Sequence, residues 1–404
     1  MRILLVTQYF HPENFKSSEL AFELAKRGHH VDALVGIPNY PEGKYYKGYG
    51  VFKKRREVLN GVNVYRTFQT PRGKKASPIG LSLNYLTFAF FATLKVLFYF
   101  CWKKKYDAII IYEPSPITQM IPGIILGKIR KTQVLSWVTD IWPDSVVSTI
   151  GEEKSKYIKP ILNSLTNWVY RNSDKILISS EWMKDLVNRD ADYSEKIIYY
   201  PHWCDDILQM PIEEIPALPD GYKIMMAGNI ADGIGVDNVL NCIKELNDIN
   251  DVQFIFVGGG AKEEDMRIQI SEMGLRNVTL VGKYPFSKMP AFYAQADAMF
   301  LSLKHTTLPH LAATVPSRLQ SYLSGGKPIL GMIDGCAAEM IKKYDCGYSV
   351  PAGDYKALAN YIREYVLLNK VKFSQKGKNG RLLYEEQFQL SDCISKLEKI
   401  IIQK

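Results

Sequence analysis

The 404-residue chain is poor in the residues that would make it a disulfide-bonded, metal-binding or dinucleotide-binding protein. Its six cysteines (Cys101, Cys204, Cys242, Cys336, Cys346, Cys393) are scattered and form no CxxC, which favours a reduced, cytosolic compartment. The six histidines are His11, His29, His30, His202, His305 and His310, and none has a second ligand at helical or finger spacing. No metal and no cofactor is expected. The turn after the first strand, Gln8 to Asn14, contains no glycine, which counts against a nicotinamide fingerprint in its usual place. The Walker pattern and nucleic-acid motifs are missing as well. No secretory leader is expected, because Met1-Arg2 runs straight into the apolar run Ile3 to Val6. Lys95 interrupts the one long apolar stretch, Ile79 to Trp102, so no uncharged run is long enough to span a bilayer comfortably.

What is present is a cationic balance of +9, which favours phosphorylated substrates, a polyanion or an anionic membrane surface. The stretch Ile79 to Trp102 is rich in aromatics and flanked by Arg72, Lys74 and Lys75 before it and Lys103, Lys104 and Lys105 after it. Lys53 to Arg56 adds a further basic run upstream. Such a helix suits the interface of an anionic leaflet, and the alternative is a core helix of a large α/β domain. His29-His30, after the helix-ending Gly28, reads as a solvated turn.

Strand and helix signals alternate from end to end, the pattern of parallel sheets covered on both faces. Strands are expected at 2–7, 30–36, 62–68, 108–112, 134–138, 175–179 and 197–200, then at 223–227, 252–257, 278–281, 298–303, 328–331 and 347–350. Between the two sets lies a proline-bearing stretch, Trp203 to Asp220, which reads as a linker. This gives an N-terminal domain over 1–205, a C-terminal domain over 206–385, and a final helical segment, 386–404, expected to pack back on the first domain. In open α/β sheets ligands bind at the C-terminal ends of the strands, which singles out Asp140, Trp142 and Asp144 in TDIWPDS.

The segment TVPSRLQSYLSGGKP, Thr314 to Pro328, organises the second half. Pro316 and Ser317 read as a helix start with Ser317 as a cap, and Leu319, Tyr322 and Leu323 recur at helical spacing. A helix N-terminus with Arg318 in its first turn is an anion site suited to a diphosphate. Gly228-Asn229 and Gly258-Gly259-Gly260 each follow a strand and allow close backbone approach to phosphate.

Taken in order, ILLVTQYFHPE, LAKRGHHVDALVGIPNYPEGKYYKGY, TDIWPDS, MAGNIADGIGVDNVL, FVGGGAKEEDM, LRNVTLVGKYP and TVPSRLQSYLSGGKPIL cover nearly the whole chain. On these segments the chain resembles retaining GT-B glycosyltransferases of glycosyltransferase family four, in the bacterial O-antigen and capsule branch that includes N-acetylfucosaminyltransferase-like enzymes. The resemblance implies an α/β fold of two doubly wound Rossmann-like parallel-sheet domains facing a cleft. The C-terminal domain would hold a nucleotide sugar, such as a UDP-N-acetyl-hexosamine or UDP-FucNAc. The N-terminal domain would hold a polyprenyl-diphosphate-linked sugar acceptor. It implies metal-independent transfer by a cytoplasmic enzyme peripherally bound to the inner face of the cytoplasmic membrane, with no nucleic-acid partner. Carried over residue by residue, Gly228, Asn229, Gly258, Pro316, Ser317 and Arg318 would meet the donor diphosphate, with Lys304 as a second cation. Lys283 and Tyr284 would meet the base. Asp140, Arg318 and Glu13 would be catalytic, and His11, Asn14 and Trp142 would face the acceptor. The chain departs from its relatives in three places. Phe15-Lys16-Ser17 replaces a first-loop diglycine, GNIADGIG has no cation after its strand where relatives carry Arg and Lys, and Ser321, taken with the donor site, stands where a ribose-gripping glutamate is usual. A sugar-nucleotide epimerase on the same fold and a non-catalytic nucleotide-sugar or lipid-binding scaffold are the alternatives.

Overall fold

The computed structural model describes residues 1–73 and 77–403. Lys74 and Lys75 of the basic flank lie outside the described residues. The chain divides into two compact units, Met1–His202 with Ile394–Lys404, and Trp203–Cys393.

The first unit is built on eight strands: β1 (Arg2–Val6), β2 (His30–Gly36), β3 (Arg56–Leu59), β4 (Val62–Thr67), β5 (Ala108–Glu113), β6 (Gln133–Val138), β7 (Lys175–Ile178) and β8 (Ile197–Tyr199). Their order is β3-β4-β2-β1-β5-β6-β7-β8. All pairs are parallel except β3 with β4, so the sheet is mixed rather than wholly parallel. β3 escapes the sequence reading because it is a four-residue edge strand whose side chains are half exposed, with no apolar run to mark it. The central strands are legible for the opposite reason: Ile3 to Val6 and Ile109 to Ile111 are buried on both faces. Helix α1 (Lys16–Lys26) covers one face with Leu20, Ala21 and Leu24.

Helix α2 (Pro78–Phe98) is capped by Ser77, whose side chain accepts from Gly80 N–H. Asn84 and Lys95 turn inward, while Ser82 is exposed. Asn84 Oδ1 accepts from Gln8 Nε2 at 2.6 Å, and Lys95 Nζ donates to the Arg66 carbonyl at 2.8 Å. Burial holds the Lys95 ammonium down at a pKa of about 8. The outward face carries Ile79, Leu83, Leu86, Phe90 and Phe98, and Trp102 beyond its end is 83% exposed. Lys95 therefore does not interrupt the exposed apolar surface. By length and composition Pro78–Trp102 could cross a membrane, but here Asn84, Phe88, Ala92 and Val96 are buried against the unit. Lys103 also turns inward, contrary to its reading as an exposed flank. It pairs with Asp32 at 2.9 Å, because that carboxylate is fully buried and needs the charge. Lys104 and Lys105 are exposed.

The helix Leu390–Ile402 closes the chain. Its Glu398 takes Arg27 Nη1 at 3.0 Å and His29 Nε2 at 2.6 Å, so His29 is held by a partner and is not a solvated turn.

The second unit has a six-stranded, wholly parallel sheet of β9 (Tyr222–Ala227), β10 (Val252–Val257), β11 (Val278–Gly282), β12 (Ala298–Ser302), β13 (Ile329–Met332) and β14 (Gly347–Val350), ordered β11-β10-β9-β12-β13-β14. The stretch from Trp203, read as a linker, is stapled into this unit. Arg381 grips the Asp206 carboxylate with two bonds of 2.5 and 2.8 Å, and Tyr384 donates to the Cys204 carbonyl at 3.0 Å.

Candidate functional site

In the second unit the adjacent strands β9 and β10 are each followed directly by a glycine, and the two turns touch backbone to backbone. Gly228 has φ 132 and Gly258 φ 145, a region closed to most L side chains. A β-carbon on Gly258 would collide with the Gly228 carbonyl, and one on Gly260 with the Ile230 carbonyl and Asn229 Oδ1. Gly228 N–H donates to Val257 O at 2.8 Å and Ile230 N–H to Gly259 O at 2.9 Å, which locks the pair.

The helix Ser317–Ser324 presents its N-terminus beside these turns. Leu319, Tyr322 and Leu323 are buried, as their spacing predicts. Tyr322 fixes the helix to the end of β9, its hydroxyl accepting from Ala227 N at 3.0 Å and donating to Ala227 O at 3.1 Å. Ser317 does not cap the helix. Pro316 occupies the cap position and Ser317 the first helical one, with no side-chain bond to the helix N–H groups. Leu319 N–H donates to the Pro316 carbonyl at 2.9 Å, while the N–H groups of Ser317 and Arg318 precede the first intrahelical bond. Arg318 Nη2 donates to the Asn229 carbonyl, and its Nε lies 2.6 Å from where a β-carbon of residue 228 would stand. Its Nη1 is buried and has no partner among the described residues.

Gly228, Asn229, Gly258, Pro316, Ser317 and Arg318 are thereby brought to one place. Lys283 joins them at the margin, its side chain lying over Gly259. Three expected donor residues are turned elsewhere. Lys304 is pinned to its own neighbourhood, donating from N to Gly233 O at 2.8 Å and from Nζ to Asp232 Oδ1 at 2.7 Å. Ser321 bonds the buried Tyr293 hydroxyl at 2.9 Å. Tyr284 packs edge-on against Phe292, ring centroids 5.1 Å apart.

In the first unit the strand-end loops hold the expected carboxyl groups of Glu13 and Asp140. Glu13 is buried and fully engaged with main chain: Oε1 accepts from Asn39 N and Tyr40 N, both at 2.8 Å, and Oε2 from Phe10 N at 3.3 Å. Burial pushes its pKa up to about 7 against those three donors. Its position is that of a loop clamp. Asp140 is only partly buried, and burial raises its pKa to about 6 even though the neighbouring Ser145, Ser115, Ile141 N–H and Trp142 favour the ionised form. Trp142 is buried, with its indole N–H on Ser115 Oγ at 3.1 Å, so it shapes the loop around Asp140. His11 and Asn14 are exposed on the first loop, and His11 N–H donates to Ser18 Oγ at 2.7 Å.

Sequence reasoning missed two groups here. Glu113 ends β5 fully buried, with Oε1 accepting from Ser115 N–H at 2.9 Å and Oε2 without a partner among the described residues. Its carboxyl is held well above the usual range by burial and then by the Asp140 charge. The continuous apolar run before it, AIIIYE, is the signal that its side chain points into a core. Arg72, read only as a membrane flank, lies over the rings of Tyr9, Tyr40 and Tyr85 at 5.1 to 5.6 Å and donates to the hydroxyls of Tyr9 and Tyr85. Among the described residues no group of three or more His, Cys, Asp or Glu side chains gathers in a metal-holding arrangement.

Residues 212–381, which include the glycine turns and Arg318, match the family model described as Glycosyl transferases group 1. The chain is 23% identical over 352 residues to WcaI of Escherichia coli (strain K12), a provisional colanic acid biosynthesis glycosyl transferase, covering 82% of this chain and 83% of the relative. Among solved structures it is similar to sucrose-phosphate synthase from Thermosynechococcus elongatus, with a TM-score of 0.71 at 17% identity, covering 100% of this chain and 98% of that one. Anabaena Alr3699/HepE in complex with UDP gives a TM-score of 0.67 at 15% identity, with both chains covered in full. The two α/β units have the GT-B fold, and within the second of them residues 212–381 are similar to the group 1 glycosyl transferase model.

Proposed function

We propose that the chain is a glycosyltransferase that takes a sugar from a nucleotide-diphosphate donor held by the second unit and passes it to a lipid-linked sugar acceptor held by the first. The observation that carries this reading is the buried Nη1 of Arg318, without a partner among the described residues, set over two glycine turns at a helix N-terminus. Breaking the bond between the anomeric carbon and the diphosphate leaves negative charge on the departing oxygen. Preorganised donors at that oxygen are what such a step needs, and Arg318 with the N–H groups of Ser317 and Arg318 would supply them without a metal. Asp140 would take the acceptor hydroxyl proton or steady the oxocarbenium-like sugar. Retention of configuration is part of the proposal, in keeping with the family that the sequence resembles.

UDP is the favoured nucleotide, since the neighbour HepE is described in complexes with UDP and UDP-glucose, and a UDP-N-acetyl-hexosamine or deoxy-hexosamine such as UDP-FucNAc is the favoured donor. The acceptor class, a polyprenyl-diphosphate sugar of O-antigen or capsule synthesis, is supported by the colanic acid assignment of WcaI and by α2. Soluble monomers rarely expose so continuous an uncharged apolar face, and it fits peripheral docking on the cytoplasmic leaflet.

Thermal stability measured against UDP, GDP, dTDP, CMP and NAD, without added metal, tests the donor class. A ligand that binds only the folded chain stabilises it by about 2.7 kcal/mol at a hundredfold excess over its Kd. A rise with UDP alone supports the reading; a rise with none of them removes the donor site.

A further inference from the structure

At the edge of the first sheet opposite Asp140, the N-terminal ends of β5, β6 and β7 border a groove of about 920 Å³. Six cations line it: Lys105, Lys128, Lys131, Arg171, Lys175 and Lys196. Its two acids are each held by a main-chain N–H and keep their charge, which leaves an excess of four cations. Asp107 accepts from Arg2 N–H at 2.6 Å and Asp174 from Val134 N–H at 2.7 Å. Lys196 Nζ donates to the Arg171 carbonyl at 2.8 Å, and Lys128 lies over the Trp168 ring. Among the described residues no acid pairs with any of the six.

Helix chemistry explains part of this charge. Lys131 and Arg171 stand at the C-terminal ends of α3 (Ile121–Arg130) and of the helix Lys159–Asn172, where cations complement the dipole. Lys105, Lys175 and Lys196 stand at or just before strand starts, where no dipole asks for them. An excess of four cations around one concavity is self-repelling, and an anion relieves that repulsion.

The groove's lining begins at Lys105, a few residues beyond the apolar segment that ends at Trp102. Arg130 ties the end of α3 to the segment after α2, donating to the carbonyls of Cys101 at 2.6 Å and Lys103 at 3.2 Å. Exposed Trp102 stands three residues before Lys105, and exposed Ile129 lies between Lys128 and Lys131. An apolar face that ends at a basic concavity has the two-part chemistry of an anionic lipid, acyl chain and phosphate.

We infer that this groove is a binding site for the phosphate headgroup of an anionic phospholipid, engaged when the uncharged face of α2 lies on the bilayer. The inference rests on the membrane-docking part of the proposed function and adds to it a headgroup-selective site remote from the transfer chemistry.

The test is cosedimentation of the full chain with phosphatidylcholine vesicles, with and without an equal part of phosphatidylglycerol. Each basic residue at an anionic surface contributes roughly fivefold to partitioning, so the triple variant Lys105→Gln, Lys131→Gln, Lys175→Gln should lose on the order of a hundredfold on phosphatidylglycerol vesicles. It should keep wild-type binding to phosphatidylcholine, a wild-type melting temperature and a wild-type UDP shift. Phe90→Ser with Phe98→Ser should weaken binding to both vesicles. Undiminished binding of the triple variant to phosphatidylglycerol overturns the groove while leaving membrane docking in place. Equal loss on both vesicle types overturns headgroup selectivity, and failure of the wild type to bind either one removes the docking reading and the groove with it.

Discussion

Arg318 lies so close over Gly228 that a β-carbon on residue 228 would stand 2.6 Å from its Nε. A glycine turn and a guanidinium are thereby built as one surface, since the side chain can lie flat only where the backbone has no Cβ. Arg318→Ala should leave the melting temperature near the wild-type value, because Tyr322 and Leu319 hold the helix, while kcat falls about two to three orders of magnitude. Gly228→Ala should lower both, through the displaced arginine and the strain at φ 132. Steady-state kinetics beside a melting curve separates the two effects, and near-normal turnover in Arg318→Ala removes its proposed role.

Asp140 gives a pH signature. A carboxylate that accepts a proton must be ionised, and burial lifts this one to about 6. The expected profile of kcat/KM falls about tenfold per unit below pH 6 and is level above it. Asp140→Asn should flatten that limb and lower the plateau. A profile unchanged in shape would show that the limb belongs to another group.

Glu13 should behave as a clamp. Its folded pKa of about 7 stands above the ordinary 4.5, so between those values the folded chain binds the proton more tightly than the unfolded one. The stability it contributes is therefore fully present below about pH 4.5 and declines as pH rises through 7. Glu13→Ala leaves the N–H groups of Phe10, Asn39 and Tyr40 without their acceptor, at a cost of about 2 kcal/mol or more, and should lose this slope. Glu13→Gln keeps an acceptor oxygen and should keep most of the turnover, which a catalytic carboxylate could not.

These cases mark what the sequence reveals and what it hides. Strands such as Ile3 to Val6 are legible because burial on both faces demands an unbroken apolar run. The Arg318 helix is legible because Leu319, Tyr322 and Leu323 repeat at its period and Pro316 marks its start. Side-chain direction is hidden wherever the partner is distant in the chain. Asn39 and Tyr40 lie more than two dozen residues beyond Glu13, and Asp32 precedes Lys103 by 71. Ser321 is one step off the buried stripe, yet it meets Tyr293 from another helix rather than the glycine turns. Apart from the edge strand β3 and the stretch from Trp203, each misplaced expectation concerns a polar group whose destination is fixed by tertiary packing.

Lys95 turns this lesson into a measurement. Its ammonium sits beneath α2 on the Arg66 carbonyl, and burial lowers its pKa from 10.5 to about 8, with the Arg55 charge adding to the effect. Here the unfolded chain binds the proton more tightly, so stability rises with pH from about 8 to 10.5. Lys95→Met removes the titrating group while keeping the length of the side chain, and the variant should lose that rise when melting is followed between pH 7.5 and about 10. Vesicle binding should be untouched, because the lysine is not part of the exposed face. If the variant instead bound membranes more strongly, with its pH slope intact, the ammonium would have to lie outside, and the uncharged face of α2 would lose its basis.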